Sequence, residues 1–179
     1  MLAIIIPYYK LTFFEATLQS LAAQTCQDFK VYIGNDASPE DPSVLLENYK
    51  GKFDFVYHRF ESNLGATSLT QQWERCIALS DNEDWLMILG DDLSFKKDCL
   101  MIFVDYDFLE MNVVEEFHKN IFEIKNQGIN VVRFSTQKID QYSSPISEVY
   151  LHPKTEKAVD FLFRKTRSSL SEYVFKKEN

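Results

Sequence analysis

The sequence predicts an α/β fold built on a mostly parallel sheet flanked by helices. Three observations carry that expectation. Its 179 residues match the size of one ordinary domain. Leu2–Ile6 is an unbroken apolar run, the pattern of a strand buried on both faces, as in a parallel sheet. Further short apolar runs then alternate with stretches of helical periodicity.

The elements follow in order. Leu2–Ile6 is ended by Pro7. Thr12 and Glu15 have the spacing of a capping box, and Phe14, Leu18 and Leu21 continue at helical spacing to about Ala23. Lys30–Gly34 is a second strand, followed by the turn-forming residues Asn35, Asp36, Ala37, Ser38 and Pro39. Asp41 is placed to N-cap a short helix with Pro42 at its first position. Gly51 punctuates, Phe53–Phe60 is rich in strand formers, and Asn63-Leu64-Gly65 is a turn. Leu69, Trp73, Cys76 and Ile77 mark one face of the next helix. Trp85–Leu89 is an apolar strand ended by Gly90-Asp91-Asp92. Val113–Gln127 is helical, with Gly128 just past its end. Ile129–Phe134 reads as a strand, Gln137–Pro153 as loop, Thr155–Lys165 as helix and Glu172–Phe175 as a final strand. No Pro-, Gly- or Ser-rich linker divides the chain, so residues 1–179 read as one domain.

Composition narrows the function classes. Apolar residues make up 45% and aromatics 15%, enough for a core and unlike a disordered chain. A net charge of −8 argues against nucleic-acid binding, because an acidic surface repels a phosphate backbone. A polyanionic ligand would need a local device, such as backbone N–H groups or a cation. Cys26, Cys76 and Cys99 form no CxxC pair and read as free thiols of a reducing cytoplasm. His58, His118 and His152 are scattered, which argues against zinc. The early apolar run is too short for a signal peptide or a membrane span. Neither GxGxxG nor GxxxxGK[ST] occurs, which removes the common dinucleotide and P-loop motifs.

Asp84–Leu93 (DWLMILGDDL) and Asp98–Asp107 (DCLMIFVDYD) share Asp, Leu-Met-Ile and a second Asp at an offset of fourteen residues. The pattern reads as a local duplication of a strand and its acidic end, with residues 93–106 as the extra copy.

In open α/β sheets, ligands bind beyond the carboxyl ends of the strands. That rule selects Pro7-Tyr8-Tyr9, Asn35-Asp36, Asn63-Leu64-Gly65, Gly90-Asp91-Asp92 and Asp105-Tyr106-Asp107. Adjacent carboxylates at the end of an apolar strand repel each other unless a cation or hydrogen bonds offset them, and oxygen ligands suit Mg²⁺ or Mn²⁺.

The order and spacing of IIIPYYK (Ile4–Lys10), SLAAQTCQDFKVYIGNDASPED (Ser20–Asp41), SNLG (Ser62–Gly65) and WLMILGDD (Trp85–Asp92) resemble family 2 glycosyltransferases of the GT-A fold. RFST (Arg133–Thr136) and RSSLSEYVF (Arg167–Phe175) are similar to the middle of such domains. The resemblance implies a Rossmann-like GT-A sheet and transfer of a sugar from a nucleotide-diphosphate donor, commonly a UDP-sugar, to an acceptor hydroxyl with inversion. It implies a saccharide or lipid-linked acceptor, no transmembrane segment, and a cytoplasmic chain that can sit peripherally at the inner face of the membrane. By resemblance, Pro7 and Tyr8 border the nucleoside, Asp36 hydrogen-bonds uracil, and Asn63 and Gly65 lie near the nucleoside. Asp91 falls on the ribose side and Asp92 on the metal side of the acidic motif. Asp107 completes the Mg²⁺ or Mn²⁺ site, with Asp105 as the less favoured alternative.

Two departures from the family pattern stand out. Leu93 occupies the place of a third acid, and removing residues 93–106 would restore GDDDFLEMNVVEEF. The family's general base lies on a segment after the strand at Ser171–Phe175, so its position is expected beyond Asn179 and no catalytic base is assigned here. The alternative reading is therefore a truncated, non-catalytic nucleotide-sugar-binding module. The run Leu100–Phe108 also has the apolar-DxD look of a haloacid-dehalogenase-like phosphatase strand, but lacks the Thr expected after the second Asp.

Overall fold

The computed structural model describes residues 1–90, 109–135, 137, 144, 146–149, 151 and 173–177. In chain order the elements are β1 (Leu2–Tyr8), α1 (Phe14–Ala22), β2 (Phe29–Asn35), α2 (Ser43–Glu47), β3 (Asp54–Arg59), α3 (Leu69–Ile77), β4 (Trp85–Ile88), α4 (Val113–Asn126), β5 (Val131–Arg133) and β6 (Tyr173–Lys176). The strands form one sheet in the order β3-β2-β1-β4-β6-β5. Strands β3, β2, β1 and β4 are parallel, and β6 enters antiparallel between β4 and β5. The expected α/β class with a largely parallel, GT-A-like sheet is what forms.

The apolar run sits where its composition requires. β1 lies inside the sheet, with Ile4 paired to Val31 on one side and Met87 on the other. Its alternation divides the core in two. Leu2, Ile4, Ile6 and Tyr8 pack with Phe14, Leu18 and Leu21 of α1 and Val114, Phe117 and Ile124 of α4. Ala3 and Ile5 pack on the other face with Tyr32, Cys76 and Ile88, joined by Trp73 and Ile77 of α3. Burying each large apolar side chain contributes about 1.5–3 kcal/mol, so a run with Leu2, Ile4, Ile5 and Ile6 needs cover on both faces. Trp85 and Phe117 meet edge to face at 5.6 Å and lock α4 to β4.

Local chemistry sets the helix ends. α1 begins at Phe14 with Phe13 at its cap and no side-chain capping bond, so the expected Thr12–Glu15 box does not form. The entry is held instead by burial of Phe14 against Tyr8, ring to ring at 4.6 Å. The structure corrects the expected cap of α2: Pro42, not Asp41, stands at the cap, with no side-chain capping bond. Although α2 begins at Ser43, Asp41 Oδ1 accepts from both the Ser43 N–H at 3.0 Å and its hydroxyl at 2.6 Å. Those two bonds hold its carboxyl below the usual carboxylate range. Ser68 caps α3 by accepting from the Gln71 N–H. Gly128, at φ +66°, follows α4 as expected of a residue that stops a helix. The strand expected over residues 129–134 is confined to Val131–Arg133, and that expected over residues 172–175 runs Tyr173–Lys176. The helix expected over residues 155–165 and the second acidic copy lie outside the described residues.

One buried glutamine fastens the residues that lead into α4. The Gln24 side-chain amide donates to the carbonyls of Glu110 at 2.8 Å and Ser20 at 3.1 Å, and its oxygen accepts from the Val114 N–H at 3.2 Å. The Thr25 N–H adds a bond to the Met111 carbonyl at 2.8 Å. The segment just after α1 thereby holds the entry to α4.

Candidate functional site

Because β3, β2, β1 and β4 run in parallel, they deliver their carboxyl ends to one edge of the sheet. Tyr8, Asn35 with Asp36, the residues after Arg59, and Leu89 with Gly90 all arrive there. The Asp36 N–H donates to the Tyr8 carbonyl at 3.0 Å, and the Leu89 N–H donates to the Ile5 carbonyl at 2.8 Å.

Asp36 is the centre of this edge. It is 5% exposed. Its Oδ1 accepts from the Leu64 N–H at 2.7 Å and its Oδ2 from the Gly65 N–H at 2.9 Å. Arg75 of α3 forms a salt bridge with the same Oδ1. The carboxylate thus joins the end of β2, the 62–65 turn and α3 through charge-assisted bonds.

Asn35 and Ser38 shape the loop that presents Asp36. Asn35 Oδ1 accepts from the Ser38 N–H at 2.8 Å, and its Nδ2 donates to the Tyr57 hydroxyl at 2.7 Å. The Ser38 hydroxyl donates to the Tyr9 carbonyl at 2.5 Å and accepts from the Glu40 N–H at 2.9 Å. Between them Ala37 takes φ +52°, a left-handed conformation unusual for a residue with a Cβ. Such backbone strain persists only where surrounding bonds over-determine it.

The residues singled out from sequence divide into three groups. Asp36 and Gly65 meet directly. Pro7 pairs with Gly34 and is partly buried at the same edge. Tyr8 contributes its backbone there, but its side chain is wholly buried, with its hydroxyl donating to the Glu40 carbonyl at 3.0 Å. Asn63 turns its side chain to the local chain, accepting from the Ala66 N–H at 2.8 Å. Asp91, Asp92, Asp105 and Asp107 lie outside the described residues, which end on this side at Gly90. Among the described residues, no group of three or more His, Cys, Asp or Glu is placed to hold a metal ion.

Sequence reasoning passed over Arg75, Gln72 and Phe60. The Arg75 guanidinium lies 3.9 Å from the centroid of the Phe60 ring. It also donates to Gln72 Oε1 and, at 2.8 Å, to the Ser62 carbonyl. Gln72 is 2% exposed and donates to the Gly34 carbonyl at 3.3 Å. A signal was present: Gln72 lies three residues from Leu69 and four from Cys76, on the face that otherwise reads as apolar. A polar residue placed on a buried face needs a partner.

A second polar cluster lies around the start of β4. The Tyr32 hydroxyl donates to Glu83 Oε1 at 2.6 Å, and Lys30 pairs with Asp81 at 3.2 Å. Burial, then the bond to Glu83, pushes the Tyr32 hydroxyl up to about 12.

A sheet covered on both faces, with its loops gathered at the carboxyl edge around one salt-bridged aspartate, is a GT-A-like arrangement. The sequence model of Glycosyl transferase family 2 matches residues 3–108. The chain belongs to that family. Among solved structures, S. aureus TarS 1–349 in complex with UDP-GlcNAc matches with a TM-score of 0.58 at 16% identity, covering 78% of this chain and 35% of that one. S. aureus TarS matches with a TM-score of 0.59 at 15% identity, over 78% and 23% of the two chains. S. aureus TarS 1–349 in complex with UDP matches with a TM-score of 0.61 at 13% identity, over 98% and 46%. At these identities the likeness is one of fold, and this chain spans less than half the length of each. Comparison with the curated proteins finds no match. Among the described residues, no helix is long and apolar enough to cross a membrane.

Proposed function

We propose that this chain is the nucleotide-sugar-binding unit of a family 2 glycosyltransferase and that its donor is a UDP-sugar. The observation that supports this reading is the convergence of Tyr8, Asp36 and the 62–65 turn at the carboxyl edge of the parallel strands. In this reading Pro7 borders the nucleoside with the Tyr8 backbone behind it, Asp36 accepts the N–H of the base, and Asn63 and Gly65 shape the wall beside it. Asp91 faces the ribose. Asp92 and Asp107, with Asp105 as the alternative, hold Mg²⁺ or Mn²⁺, which would neutralise charge on the diphosphate leaving group. The setting is cytoplasmic, peripheral to the inner face of the membrane.

The second reading is full transfer, with inversion, to a saccharide or lipid-linked hydroxyl. Family membership favours it. Donor binding is the part of the family's activity that Asp36 and the 62–65 turn bear on directly. Calorimetric titration with UDP, with and without Mn²⁺, beside an assay of sugar transfer, tests both. Binding with no transfer supports the first reading, transfer supports the second, and no UDP binding sinks both.

A further inference from the structure

We propose that Arg75 is a positioning residue for nucleobase recognition. It fixes the Asp36 carboxylate so that the site prefers a base offering an N–H donor, as uracil does, over one offering an acceptor there, as cytosine does. The inference rests on the donor-site reading above.

The argument begins with the lone pairs of Asp36. A carboxylate has about four acceptor directions. Oδ1 is used by the Leu64 N–H and by Arg75, and Oδ2 by the Gly65 N–H. One direction on Oδ2 remains, and a salt-bridged carboxylate can only accept there. Its aim depends on how firmly the carboxylate is held, and Arg75 is the part of that hold least free to move. Its Nε bonds Gln72 Oε1, its Nη2 bonds Asp36 and the Ser62 carbonyl, and one face rests on Phe60. Gln72 is itself tied to the Gly34 carbonyl of β2. The planar fork thus joins helix, strand and turn, a task that a point-charge ammonium performs only in part. Arg75 therefore acts through Asp36, whose free oxygen direction reads the base.

The test is calorimetric titration of the whole chain and its variants with UDP, CDP and inorganic pyrophosphate at one salt concentration. The wild-type chain is expected to bind UDP at least tenfold more tightly than CDP. Arg75→Gln should weaken UDP binding about tenfold while changing CDP and pyrophosphate binding less than threefold, so that base discrimination collapses. Arg75→Lys should recover part of the discrimination. A general structural role would weaken all three ligands together, and that result overturns the proposal. So does an unchanged UDP-to-CDP ratio in Arg75→Gln when the wild type discriminates, and in that case the donor-site reading stands. A wild-type chain that does not bind UDP overturns both. If Arg75→Gln does not fold, Arg75→Lys decides: a reduced ratio with unaltered pyrophosphate binding supports the role, and a wild-type ratio overturns it.

Discussion

Gly65 donates its N–H to Asp36 Oδ2 at 2.9 Å, and a Cβ added at Gly65 would stand 2.6 Å from that same oxygen. The turn therefore approaches the carboxylate as closely as a residue without a side chain allows. Asp36 cannot easily swing aside, because its other oxygen is held by Leu64 and Arg75. Gly65→Ala is expected to destabilise the fold by about 1–3 kcal/mol. It should also weaken UDP binding. Denaturant unfolding and calorimetry read the two effects separately.

Asp36→Ala leaves the Leu64 and Gly65 N–H groups and the Arg75 guanidinium without their shared acceptor. Breaking a mostly buried pair of this kind costs about 3 kcal/mol. The proposed base contact disappears with it, so UDP affinity should fall even when no metal is added. Unchanged metal-free affinity in the folded variant would remove Asp36 from the base site.

The acidic positions separate by their response to metal. Asp91→Ala or Asp92→Ala should abolish the gain in UDP affinity produced by Mn²⁺ or Mg²⁺, while Asp105→Ala should have little effect. Chelation should reduce the wild type to the affinity of the first two variants. The reverse order among the variants would assign the metal to the second acidic copy.

Tyr32 makes stability depend on alkaline pH. Its hydroxyl is pushed up to about 12 by burial and by the bond to Glu83, against about 10 in an unfolded chain. The folded state holds the proton more tightly, so this contribution is complete below pH 10 and lost progressively between pH 10 and 12. Its size is roughly 2 kcal/mol. Tyr32→Phe should flatten that part of the stability profile while lowering stability at neutral pH, since the Glu83 oxygen loses its donor. Urea unfolding at pH 8 and pH 11 checks both.

Ala37, at φ +52°, sits beside Asp36 in a conformation that costs an L-residue about 1–2 kcal/mol. Ala37→Gly should be neutral or stabilising, and Ala37→Val should destabilise by about 1–2 kcal/mol. Thermal unfolding of the three chains gives the order.

Strands were legible where burial alone defines them. The run at residues 2–6 and the KVYIG segment need cover on both faces, and that requirement places them inside the sheet. The antiparallel entry of β6 was not legible, because strand order is a long-range choice that no local pattern encodes. The Thr12–Glu15 spacing misled for a related reason: tertiary burial of Phe14 against Tyr8 sets the start of α1. At the site, turn chemistry and strand ends pointed to Asp36 and Gly65. Arg75 was hidden because its partners lie 39 residues away in the chain at Asp36 and 13 away at Ser62. A charged residue on a helix reads locally as solvent-facing, and only the buried Gln72 beside it hinted otherwise.

The Gln24 amide gives the chain a fixed address at residues 110–114, and the Leu89 N–H ties the end of β4 to β1. Length inserted or removed between those two anchors need not disturb the register of β1 and β4. The register of β1 and β4 and the seat of α4 are thus set by bonds that lie on either side of residues 91–108.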